Sequence, residues 1–128
     1  MTSLYDYLED VVNIFASISP FAEFVEAPIV NVLGNELGIL TFSMKFTDGS
    51  ILDFTATLEF STDYPVYNNY SVHYQNQRGL CIFRYDNAPH HPELAPFPQH
   101  KHAGERAIDG ALPSMRQIAR EIREALEQ

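Results

Sequence analysis

Lysine occurs twice in these 128 residues, cysteine once and tryptophan not at all. With Cys81 as the sole cysteine, no intrachain disulfide can form, and nothing marks the chain for an oxidising compartment. Cys81 lies in the apolar run Leu80-Cys81-Ile82-Phe83 and is expected to be a small core residue. Eight Lys and Arg face 17 Asp and Glu, a formal charge of −9. That balance excludes a broad nucleic-acid footprint, which needs many cations to neutralise phosphates. No apolar run approaches the roughly 20 residues that span a bilayer. The opening stretch MTSLYDYLEDVV has no positive n-region of the kind a signal peptide carries. A Gly-rich phosphate loop, a Gly-x-Ser-x-Gly elbow and a dinucleotide fingerprint are all missing. The expectation is a soluble, cytoplasmic protein that needs no cofactor.

The length fits a single domain over residues 1–128 with one real core. Charge is spread unevenly: residues 1–70 hold ten acids and one base, Lys45, while residues 71–128 hold seven of each and every histidine. An anionic ligand would therefore find its site in the second half. The acids of the first half alternate with apolar residues and read as solvated faces.

Leu4, Leu8, Val11, Val12, Phe15 and Ile18 recur at helical spacing behind Ser3, a candidate N-cap. Ser19-Pro20 ends that helix. Residues 21–32 read as a strand that Pro28 confines to an edge or a break. Residues 38–47 and 51–60 alternate strictly, with Leu40, Phe42 and Met44, then Leu52, Phe54 and Ala56, on one face. Asp48-Gly49 between them signals a two-residue hairpin turn. Residues 66–75 and 80–85 form two more strands around Asn76-Gln77-Arg78-Gly79. Pro113-Ser114 starts a closing helix with an apolar stripe of Met115, Ile118, Ile122 and Leu126, and Arg120 and Glu124 form an i,i+4 pair. The predicted fold is α+β: an antiparallel meander of four to five strands, with an N-terminal and a C-terminal helix packed on one face.

After the last strand the chain reads RYDNAPHHPELAPFPQHKH over residues 84–102, with four of the five histidines. Three readings are open. Asp86-Asn87-Ala88-Pro89 is an Asx-type turn, and Pro89, Pro92, Pro96 and Pro98 stiffen the chain beyond Asn87, so the segment serves as a structural loop. His100-x-His102 is also a geometry for two metal ligands, with His90 or His91 as a third. The last reading is metal-free acid–base chemistry on a phosphodiester. Here His100 and His102 divide the acid and base roles, since imidazole titrates near neutral pH. Tyr85 donates a proton or stacks on a base, and Asp86 fixes a histidine tautomer. Arg84 and Lys101 bind phosphate, and His90 and His91 position the substrate. His73 lies on the preceding strand, on a face that depends on register.

The ordered set Arg84-Tyr85-Asp86-Asn87, His90-His91, Phe97-Pro98 and His100-Lys101-His102 resembles the TumE family, prokaryotic toxin components of toxin–antitoxin pairs. The strong match covers about 20 residues, and the Pro113-Ser114 helix start also fits. The resemblance implies a cytoplasmic toxin with a DNA-binding, winged-helix-like antitoxin as partner. It carries no catalytic assignment. Combined with the residue chemistry it leads to a metal-independent ribonuclease acting on RNA. A non-catalytic interaction domain, in which the loop is an interface, and a His-ligated metal enzyme stand as alternatives; a homodimer is compatible with each.

Overall fold

The structure, a computed structural model, describes residues 3–34, 36–60, 65–87, 100–103, 106–109 and 111–127. Helix α1, Leu4–Ala16, begins where the Ser3 hydroxyl accepts from the Asp6 amide, and Ser17 caps its end. Its buried side chains, Leu4, Leu8, Val11 and Phe15, follow the predicted stripe. Helix α2, Met115–Leu126, starts on a Ser114 cap that accepts from the Gln117 amide. It buries Met115, Ile118, Ala119 and Ile122.

Between the helices runs one sheet in plain sequence order: β1 Glu23–Leu33, β2 Leu37–Lys45, β3 Ile51–Glu59, β4 Val66–Gln75, β5 Cys81–Asp86, β6 His100–Ala103 and β7 Arg106–Asp109. Every neighbouring pair is antiparallel. The first five strands are those expected from the sequence, β2 and β3 from their alternation. The two short ones were not: their His, Lys and Arg content and the proline-rich approach read as loop, yet His100–Ala103 returns to pair with β5. Backbone pairing with an existing edge stabilises a strand that propensity alone would not form.

One predicted turn differs in detail. The Phe46 carbonyl accepts from the Gly49 amide, the Phe46 amide donates to the Ser50 carbonyl, and Gly49 has φ 84°. This is a type I turn closed by a left-handed glycine, not a two-residue loop. Asn76–Leu80 repeats the pattern, with Gly79 at φ 82°. Pro28 does sit on an edge strand, inside the register shift between Glu26 and Ile29.

Both helices cover the same sheet face. The core there is built from Leu40, Phe42, Leu52, Phe54, Val72, Tyr74, Phe83 and Tyr85 together with the helix stripes. Phe42 and Phe54 stack at 4.8 Å, with Phe15 of α1 5.6 and 5.5 Å away. Helix α1 lies close over β2: a Cβ on Gly38 would stand 2.9 Å from Leu8 Cδ1. Cys81 is half-buried rather than a core residue, because the register shift between Tyr74 and Gln75 puts it opposite Gln75, off the core face. The Arg120–Glu124 pair does not form; Arg120 reaches Gln117 Oε1 at 3.5 Å instead. No helix among the described residues is long and apolar enough to cross a membrane.

Candidate functional site

The sheet face away from the helices has no covering layer among the described residues. Alternation assigns it mostly polar residues, and the register sorts their positions into rows. One row runs Ser43, Asp53, His73, Arg84, His102 across β2 to β6. The next runs Thr41, Thr55, Ser71, Asp86, His100, and then Asp109 on β7. Residues directly opposite in antiparallel strands share a face. The β5–β6 pairing therefore sets the His102 position against Arg84 and the His100 position against Asp86.

Arg84 Nε stands 2.9 Å from Asp86 Oδ2, with the arginine side chain 42% exposed and the aspartate 2%. The contact is an ion pair, without the alignment of a hydrogen bond. A buried carboxylate needs such compensation, and it holds the guanidinium in place while leaving part of it open to solvent. Ser43 Oγ donates to Asp53 Oδ1 at 2.7 Å and anchors the far end of the row. His73, between Asp53 and Arg84, has its pKa lowered: burial disfavours the cation, the Arg84 charge adds to this, and Asp53 opposes it. His73 therefore favours its neutral form more than a free imidazole does.

A cleft of about 250 Å³ opens beside Arg84 and Asp86, with Thr55, Ser71 and Asn69 on its walls. Asn87 fastens its rim. Its amide nitrogen donates to the Asn68 carbonyl at 2.7 Å, and its Oδ1 accepts from the Tyr70 amide at 3.1 Å. The side chain thus ties the exit of β5 to β4.

Tyr85 and Lys101 lie on the other side of the sheet. Tyr85 is buried, and its hydroxyl donates to Glu121 Oε1 of α2 at 2.5 Å. Its pKa is raised, first by burial and then by Glu121. Lys101 Nζ lies 3.2 Å from Glu121 Oε2 and 4.8 Å from the centre of the Tyr85 ring. This Tyr85–Glu121–Lys101 cluster joins β5, β6 and α2. Of the expected site residues, Arg84 and Asp86 meet on the open face, and the positions of His100 and His102 continue their rows. Tyr85 and Lys101 are separated from them by the period of two. His90 and His91 lie outside the described residues. His73, Ser43 and Asp53 had no motif to mark them; their signal was the polar half of the strand alternation, which register alone brings together. Among the described residues no three His, Cys, Asp or Glu side chains converge as a metal site.

A family model described as toxin TumE matches residues 14–128. The chain belongs to the TumE family of toxins. No curated protein matches it, and neither does any solved structure. As a TumE toxin it is one component of a toxin–antitoxin system and has an antitoxin as partner. The match extends far beyond the histidine segment and includes β2 to β5, which build the row around Arg84.

Proposed function

We propose that this TumE toxin is a metal-independent ribonuclease whose chemistry takes place on the open sheet face at β4, β5 and β6. The observation that carries the reading is the pairing of the His102 and His100 positions with Arg84 and Asp86, in the row that also holds His73. Arg84, held by Asp86 and partly open, binds the scissile phosphate and takes up its developing charge. One histidine removes the 2′-hydroxyl proton as that oxygen bonds to phosphorus. A second gives a proton to the departing 5′-oxygen as its bond to phosphorus breaks, leaving a 2′,3′-cyclic phosphate. His100 and His102 are the acid–base pair, with His73 as a neutral acceptor next to the guanidinium. Asp86 orients the imidazole across from it. Tyr85 and Lys101 hold the strands that carry the site to α2, and His90 and His91 contact the substrate.

The net charge of −9 keeps RNA affinity modest, so cleavage is the proper readout. An end-labelled RNA oligonucleotide is incubated with wild type, with and without EDTA, and with His100→Ala, His102→Ala and Arg84→Gln. Each substitution is expected to lower the rate by about a hundredfold or more. EDTA is expected to have no effect, and a 2′-deoxy substrate to remain intact. Undiminished cleavage by both histidine variants overturns the assignment, and EDTA sensitivity replaces it with the metal reading. Wild type that leaves RNA intact makes this face a protein-contact surface instead. The partner is proposed to be a DNA-binding, winged-helix-like antitoxin in the cytoplasm, which the product of the neighbouring gene tests.

A further inference from the structure

The helix side of the molecule carries a second concavity, remote from Arg84. It has two connected parts that share Asp10, Ile14 and Arg116. One part, about 430 Å³, is walled by Arg116, Arg120 and Arg123 of α2, with Asn13 and Ser17 across from them. The other, about 330 Å³, is walled by Tyr7, Val11, Tyr67 and Met115. The Tyr7 and Tyr67 hydroxyls are joined there at 2.6 Å.

Positions 116, 120 and 123 follow the i, i+4, i+7 rule and make one stripe. In a chain with eight Lys and Arg against 17 acids, three of the eight stand on this single stripe. All three are exposed. Among the described residues, no carboxylate lies within 4.0 Å of any of their nitrogens. Glu124, one turn on from Arg120, is left aside in favour of Gln117. Three neighbouring guanidinium groups with no carboxylate in contact, although Asp10 lines the same groove, repel one another, and their planar forks suit carboxylates. The stripe spans about 10 Å of helix, or about three residues of an extended chain.

We propose that the α1/α2 groove docks an acidic, amphipathic segment of a protein partner. The carboxylates of the segment pair with Arg116, Arg120 and Arg123, and its apolar residues lie against the half-buried Tyr7, Ile14 and Tyr67. The antitoxin is the partner that the family provides. RNA fits less well, because the adjoining part is walled mainly by Tyr7, Val11, Ile14, Tyr67 and Met115, which suit apolar side chains and not phosphates. The inference rests on the antitoxin partnership and not on the ribonuclease chemistry, so the two stand or fall separately.

Fluorescence anisotropy tests it with labelled octapeptides in which two apolar residues precede three glutamates, three glutamines or three lysines. A 12-nucleotide RNA serves as competitor. The glutamate peptide is expected to bind about 10- to 100-fold more tightly than the glutamine peptide, and to weaken as salt rises. The triple variant Arg116→Gln, Arg120→Gln, Arg123→Gln, verified as folded by circular dichroism, is expected to lose that margin. Arg84→Gln is expected to keep it. Charge reversal to Arg116→Glu, Arg120→Glu is expected to transfer preference to the lysine peptide. Equal binding of the glutamate and glutamine peptides, absence of binding, or displacement by the RNA overturns the proposal.

Discussion

Tyr85 separates an anchoring role from a chemical one, and Tyr85→Phe is the perturbation that tells them apart. The hydroxyl donates to Glu121 Oε1 at 2.5 Å, and the ring lies 5.5 Å from Phe83. Phenylalanine keeps the ring and its packing, so no cavity opens and the loss is confined to one hydrogen bond. Bonds to charged groups are worth about 1.5–3 kcal/mol. Glu121 keeps its contact with Lys101, and with each side chain 23% exposed its freed oxygen can take up water. Those two facts place the cost at the lower end, about 1.5 kcal/mol. For a chain of this size that lowers Tm by about 6 °C. Urea denaturation measures the cost directly, and a cycle with Glu121→Gln is expected to return a coupling of about 1 kcal/mol. Single-turnover RNA cleavage by the folded variant is expected to stay within about twofold of wild type, since the hydroxyl faces α2 and not the Arg84 row. A rate loss of a hundredfold with unchanged stability would refute this reasoning and return Tyr85 to the chemistry.

The His73 imidazole is expected to titrate below 6.5, chiefly through burial, and to move upwards in Arg84→Gln; histidine NMR titration reads both. A lowered histidine pKa means the unfolded chain binds more protons at acid pH, so urea-derived stability should fall as pH drops below about 6.5, and His73→Gln should flatten that slope. At the alkaline end the sign reverses. Burial pushes Tyr70 up to about 12 and also raises Tyr85, so the unfolded state loses protons first above pH 10. Each tyrosine then removes up to about 1.4 kcal/mol per pH unit until its folded pKa is passed, and Tyr85→Phe should lessen the decline. Phe54→Ala, which empties the ring stack with Phe42 and Phe15, is expected to cost about 3–5 kcal/mol by calorimetry, whereas Arg120→Gln on the exposed helix face should fall within about 0.5 kcal/mol of wild type.

Local rules made much of the frame readable. Ser3 and Ser114 announce their helices because a hydroxyl there satisfies an amide the first turn leaves free. Leu40 to Met44 and Leu52 to Ala56 declare their buried face by alternation. Pro28 declares an edge because it cannot donate to a central ladder. The tight turns at Gly49 and Gly79 then set the register of β2 with β3 and of β4 with β5, since few residues leave few ways to join. The same period of two sets Arg84 and Asp86 on one face and Tyr85 on the other, although all three were expected in one site.

The return of His100–Ala103 to the edge of β5 was a different matter. Residues 88–99 separate the two partners, and so long a connection specifies neither whether they pair nor which residue meets which. The pairing of Arg84 with His102 and of Asp86 with His100 therefore belongs to the tertiary structure. So does the row from Ser43 to Arg84, drawn from four strands that no single motif links. The groove between α1 and α2 shows the same division. The i, i+4, i+7 spacing of its arginines is written in the chain, but only the packing of two helices far apart in sequence places them opposite Asn13 and beside Tyr7. Sequence alone determined which residues share a face, because that depends on backbone period. Tertiary structure decided which faces meet, because that depends on where distant segments find an edge or a stripe to bury.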